Sequence, residues 1–202
     1  RRLYPSPRDL EVNVQEIETR GFPRSFWLYL AAVALIAAGY ADFPLMAYHF
    51  KRADSVSDAW IPLFYAIAMG VDAVAALLFG LLFDRVGVSV LVAAALLSSG
   101  FALLAFTGGF YSALAGTALW GVGMGAQESV MRAAIAGMVP SDRRGAAYGL
   151  FNAGYGVFWF FGSALMGILY GVSIPALIAF SMTAQLASIP LLLLSGASQS
   201  SR

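Results

Sequence analysis

From Arg24 onwards the chain consists of long apolar runs broken by short polar interruptions. The interruptions are Lys51 to Asp58, Asp84 to Gly87, Thr107 to Gly109, Pro140 to Arg143 and Gly171 to Pro175. No charged residue occurs between Val86 and Gln127, or between Gly145 and Ser201. Each of those stretches is long enough for two helices of about 20 residues crossing a hydrocarbon layer. The pattern predicts six spans, at 24 to 48, 59 to 83, 87 to 106, 110 to 133, 144 to 170 and 173 to 194. The expected fold class is therefore an all-α membrane protein, with a six-helix bundle over residues 24 to 194. Residues 1 to 23 differ in kind: three prolines, four arginines and four acids mark a polar linker or surface helix. Residues 195 to 202 form a short tail.

Composition agrees with the pattern, since 60% of residues are hydrophobic and only 11% charged. A net charge of +1 argues against nucleic acid as a partner, which needs clustered bases. One histidine and no cysteine leave no material for a His/Cys metal site or a thiol nucleophile, and nothing calls for a cofactor. The chain opens at Arg1 with neither Met nor a signal peptide, so it reads as part of something longer or as a processed product.

Charge sorts the connections into two sides. Arg1, Arg2, Arg8, Arg20, Arg24, Arg85, Arg132, Arg143, Arg144 and Arg202 fall on one side, and only Lys51 and Arg52 on the other. By the positive-inside rule the richer side is cytoplasmic, which puts both termini there. Trp27 and Trp60, near span starts, suit the interfacial belt. A weak echo, Gly80-Leu-Leu-Phe83 at the end of the second span and Gly167-Ile-Leu-Tyr170 at the end of the fifth, suggests two three-helix repeats. With an odd number of spans per repeat, the second copy is inverted relative to the first.

The stretch Gly80-Leu-Leu-Phe-Asp84-Arg85-Val-Gly87 resembles the short cytoplasmic loop motif of the major facilitator superfamily, whose members are secondary transporters with two six-helix halves. In that family the motif lies between the second and third helices of a half, where it falls here. The glycine-rich run Gly121 to Gln127, the string Val139 to Gly145 and Ala41-Asp-Phe-Pro-Leu45 fit the same picture. Val88 and Ser89 stand where bases usually follow, as in the degenerate motif of C-terminal halves. The resemblance implies the C-terminal half of a transporter in the bacterial inner membrane, working by alternating access. It also implies a complementary N-terminal half, on the same or a separate chain, or pairing with a second copy. On this reading Gly80 and Gly87 let a helix end and turn. Asp84 faces a helix N-terminus, Arg85 a carboxylate, and Glu128 and Arg132, four residues apart, pair on one helix face. The four charges are then expected to form a cytoplasmic gate cluster.

Charges inside a span are costly and mark function. Asp72 lies near the middle of the second span, with Tyr65 and Phe79 seven residues to either side on its face. Asp42 precedes Pro44, and His49 follows on the same face; Asp42, with Tyr40 and His49, is a candidate for proton coupling or an outer gate, with a proline kink admitting water. His49 itself reads as an interfacial residue. Tyr148, Asn152, Tyr155 and Trp159 form a polar-aromatic stripe on the fifth span, and Trp120, Met124, Gln127 and Met131 one on the fourth. Both suit a central cavity holding a small amphipathic or aromatic solute. The glycines at 121, 123, 125, 145, 149 and 156 are expected to let helices approach closely.

Other classes fit less well. The Gly121 to Ala126 run has a dinucleotide-loop spacing but no preceding strand. Ser173 falls in a loop with no following histidine, which disfavours a serine protease. A non-transporting six-helix scaffold that binds a partner membrane protein is the remaining alternative; it predicts that the polar stripes are packed away from water.

Overall fold

The computed structural model describes residues 21 to 197. The expected linker before Gly21, the end of the tail and the bases Arg1, Arg2, Arg8, Arg20 and Arg202 lie outside the described residues. Within them the chain is helical and contains no strand. The helices are α1 (Arg24–Gly39), α2 (Phe43–Arg52), α3 (Ile61–Val86), α4 (Ser89–Ser98), α5 (Phe101–Thr107), α6 (Phe110–Met138), α7 (Arg144–Val172) and α8 (Ile174–Ala197). A 3-10 turn, Ser141–Arg143, leads into α7.

The eight helices make the six expected spans because two spans are broken. Residues 24–52, 61–86, 89–107, 141–172 and 174–196 are each long and apolar enough to cross a membrane. Helix α6, with 29 residues, is long enough too, but Gln127, Glu128, Arg132 and its many glycines dilute its apolar character. It packs against α1, α3, α4, α5 and α7, so little of it has to face lipid. The chain is a multi-pass membrane protein.

The expected proline kink in the first span is instead a full break. Tyr40 and Asp42 are extended, and a new helix starts with Pro44 in its first turn, where a missing N–H costs nothing. Carbonyls freed by a break must find donors inside a membrane. Here Ser181 Oγ donates to the Gly39 carbonyl at 2.6 Å, and the Trp120 indole N–H to the Ala41 carbonyl at 2.8 Å. The third span bends at Ser99 and Gly100, where Ser99 Oγ donates to the Leu96 carbonyl at 2.9 Å.

Packing repeats across the two triplets of spans. The second span (α3) packs on the fourth (α6) as the fifth (α7) packs on the first (α1), and the third span (α4, α5) packs on α6 as α8 packs on α1. Helices α4 and α8, equivalent members, touch each other. This exchange pattern is what two three-helix repeats generate, and the Gly80 and Gly167 strings sit near the ends of the equivalent helices α3 and α7.

Close approach depends on particular glycines. A Cβ on Gly121 would overlap the Ala68 carbonyl, and one on Gly125 the Asp72 carbonyl and Ala76 amide, so α3 and α6 meet backbone to backbone. Gly123 accommodates the Tyr40 ring, and Gly162 receives Ala38 between α7 and α1. The expectation fails at Gly145, Gly149 and Gly156, which have open space around them.

Two clusters form the core. One, around Phe26, Tyr29, Leu91, Val130, Ile135 and Phe151, fills the end where α3 and α6 finish and α7 starts. The other, around Tyr40, Phe50, Phe64, Phe101, Phe106, Trp120 and Leu177, fills the opposite end. By alternate crossing, Arg24, Arg85, Arg143 and Arg144 gather at the first end and Lys51 and Arg52 at the second. Helices α3 and α7 leave broad apolar faces bare, including Val74, Leu77, Leu78 and Leu81 on one and Phe160, Phe161, Ile168 and Val172 on the other.

Candidate functional site

The two polar-aromatic stripes converge. A groove of about 120 Å³ between α6 and α7 is lined by Met124, Gln127, Glu128, Met131 and Arg132 from one helix and by Phe151, Asn152, Tyr155 and Trp159 from the other. Helical periodicity explains the convergence, since each set recurs at three- and four-residue steps and so points one way from its own axis. Tyr155 Oη donates to Gln127 Oε1 at 2.9 Å, tying the two walls together. The Trp159 indole N–H donates to the carboxylate of Asp42 at the break between α1 and α2. The broken span thus presents an acid to the groove's upper end, and Tyr155 and Trp159 stack edge to face with centroids 5.2 Å apart.

Charge around the groove is unbalanced. Tyr155 is within electrostatic reach of Glu128, Asp42 and Arg132, and Asp72, on the flank of α3, is within reach of Glu128. None of Asp42, Asp72 and Glu128 forms an ion pair among the described residues, where Lys51–Asp58 is a solvent-exposed bridge at 2.9 Å. Asp72 Oδ1 and Gln127 Nε2 are buried without a hydrogen-bond partner. Gln127 is 7% exposed, so its free N–H group is a donor held ready at the groove wall. No three acidic or imidazole groups among the described residues converge as a metal site would require.

Several expected site residues lie elsewhere. Trp120 is 4% exposed and works inside the core, its N–H on the Ala41 carbonyl and its own carbonyl accepting from Tyr40 Oη. Tyr40, 2% exposed, packs into the core at the break. His49, in the last turn of α2, is buried: its Nδ1 lies 3.1 Å from Tyr170 Oη and its ring 5.0 Å from that of Phe106. Tyr65 is half exposed against Phe43, with ring centroids 4.8 Å apart, and does not line the groove. Tyr148 sits at the groove's lower rim, where its hydroxyl donates to the Arg132 carbonyl at 3.3 Å.

The loop motif is also rearranged relative to expectation. Helix α3 runs through Gly80 without ending; the turn is at Gly87, whose φ of 62° and ψ of −145° suit only glycine and whose amide donates to the Phe83 carbonyl at 2.8 Å. Asp84 and Arg85 are exposed in the last turn of α3, and no side chain caps α4. Among the described residues no ion pair joins Asp84, Arg85, Glu128 and Arg132, and the last two face the groove instead of each other. Sequence reasoning missed Phe151 as a groove residue, and it missed the buried chain of Ser98, Gln185 and Ser181. There Ser98 Oγ donates to Gln185 Oε1 at 3.1 Å and Gln185 Nε2 to Ser181 Oγ at 3.3 Å. A lone amide in an otherwise apolar span was the available signal.

A larger cavity of about 530 Å³ lies along α3, lined by Ile67, Gly70, Val71, Val74, Ala75, Leu78, Phe79 and Val122. It offers no polar side chain, and its walls are α3 residues with Val122 of α6, so the smaller groove is the one with polar chemistry.

Broken spans with buried polar groups beside a groove between packed helices are an arrangement that transporter folds use. The family comparison is specific: residues 25–200 match the Major Facilitator Superfamily. The chain belongs to this superfamily of transporters. It is 37% identical over 167 residues to uncharacterized proteins of Mycobacterium bovis and of two Mycobacterium tuberculosis strains, covering 83% of this chain and 41% of each of theirs. The chain thus spans less than half the length of those relatives. No solved structure matches it.

Proposed function

We propose that this chain is the C-terminal six-helix half of a secondary active transporter. It moves a small amphipathic or aromatic solute by alternating access across a bacterial inner membrane, with both termini cytoplasmic. The observation that carries this reading is the convergence of Gln127, Glu128, Asn152, Tyr155 and Trp159 on one groove that also receives Asp42. Lipid-facing surfaces do not need such a set. The groove's volume is well below the roughly 300 to 1,000 Å³ of a small-molecule site, as suits one wall of a cavity whose other wall comes from a partner half. The bare faces of α3 and α7 flank that wall and suit the complementary N-terminal half, on the same or a separate chain, or a second copy. The shorter match to the mycobacterial relatives supports the half-length reading.

Coupling to protons rests on Asp42 and Asp72, carboxylates inside spans and without a base partner among the described residues. In everted vesicles carrying the full-length protein, a pH gradient should drive movement of fluorescent amphiphilic dyes. Asp42→Asn should abolish the dependence on the gradient, and Asn152→Trp, which fills the groove, should abolish movement. Dye movement unchanged by both variants contradicts the proposal.

A further inference from the structure

The groove's charge and hydrogen-bonding inventory identifies the class of solute. Glu128 lines the groove and Asp42 reaches it through Trp159, two carboxylates against the single guanidinium of Arg132. No ion pair neutralises either of the two among the described residues. Unpaired acids at membrane depth are costly, and a positive charge on the bound molecule relieves that cost. A metal ion is a poor candidate, since no three ligands converge. The walls are instead aromatic and soft: Phe151, Tyr155, Trp159, Met124 and Met131. Ring faces attract organic cations as well as apolar bodies. The second, independent feature is Gln127. More than nine-tenths buried, it fixes its oxygen on Tyr155 and leaves Nε2 unpartnered at the wall, a donor awaiting an acceptor atom.

We propose that the groove binds an organic cation with an aromatic body and a hydrogen-bond acceptor. The carboxylates of Asp42 and Glu128 take its charge, Tyr155 and Trp159 its rings, and the Gln127 amide its acceptor. This inference rests on the reading of the groove as the solute site.

The test uses the full-length protein in detergent and two dyes that share a xanthene ring system, rhodamine 123, a cation bearing an ester carbonyl, and fluorescein, an anion. Fluorescence anisotropy should show saturable binding of rhodamine 123 and none of fluorescein. Asp42→Asn and Glu128→Gln should each weaken rhodamine binding about tenfold, whereas Arg132→Gln, which removes the competing base, should strengthen it. A misfolded variant cannot produce that gain. Fluorescein binding as tightly as rhodamine, or rhodamine affinity unmoved by all three variants, overturns the inference. The chain has no cysteine, so Asn152→Cys places its single thiol in the groove. On a background free of other reactive thiols, rhodamine should shield that thiol from maleimide. Shielding with no response to the charge variants overturns the cation inference and leaves the groove reading standing; binding without shielding overturns both.

Discussion

Trp159 and Trp120 show how one residue type takes opposite roles through its neighbours. Both indoles donate a hydrogen bond to the broken first span, Trp120 to a backbone carbonyl in the core and Trp159 to the Asp42 carboxylate beside the groove. Trp120→Phe leaves the Ala41 carbonyl without its donor where water does not reach. It should cost roughly 1 to 2 kcal/mol of stability, read as a lower Tm in detergent. Trp159→Phe should leave Tm nearly unchanged, because the freed carboxylate borders the groove, and should weaken dye binding instead. Equal loss of Tm in both would contradict the distinction. Periodicity alone made Trp120 and Trp159 look alike, since each sits on a polar-aromatic stripe. What separates them is the break at Tyr40 to Asp42, which is a tertiary fact: the carbonyls it frees are recaptured by α6 and α8. The burial of His49 was hidden for the same reason, because it depends on Phe106 and Tyr170 from distant spans.

Between elements, the governing contact is the backbone-to-backbone approach of α3 and α6. Gly125→Leu drives a side chain into the Asp72 carbonyl and Ala76 amide, neither of which can rotate away. Overpacking of this kind costs roughly 1 to 3 kcal/mol, so the variant should show a lower Tm and lower yield of monodisperse protein, while Gly149→Leu, with open space around it, should not. Similar losses from both would mean that α3 and α6 are not in this register. At the end of α3, Gly87→Ala forces a side chain into a conformation that costs on the order of 1 to 3 kcal/mol; it should lower Tm more than Gly80→Ala, which lies inside the helix. Spans and their order were legible because apolar runs of membrane length have few alternatives. The breaks were not, because Pro44 permits either a kink or a restart, and the choice is made by Ser181 and Trp120, far away in the chain.

At the scale of the whole molecule, two three-helix triplets pack by the same rules, a polar groove lies between α6 and α7 of the second triplet, and α3 and α7 keep apolar faces uncovered. The residues of the groove were mostly legible in the sequence: Gln127, Asn152, Tyr155, Trp159 and Asp42 all stood out as polar groups in apolar runs. Their assembly was not, because which stripe faces which is fixed by helix rotation and by glycines that let some helices close and not others. Spacing puts Glu128 and Arg132 on one face, but within the described residues both turn toward the groove and no ion pair forms.

The central claim is that the groove between α6 and α7 is a wall of a solute path that opens to each side of the membrane in turn. The most direct test is the reactivity of a cysteine placed at Asn152 in the full-length protein, in sealed vesicles of defined orientation, toward a membrane-impermeant thiol reagent added to one face at a time. The account predicts labelling from either face, with the faster side reversed when solute and pH gradient are reversed. Reaction from neither face, as a groove packed against a scaffold partner would give, or from one face under every condition, would contradict it.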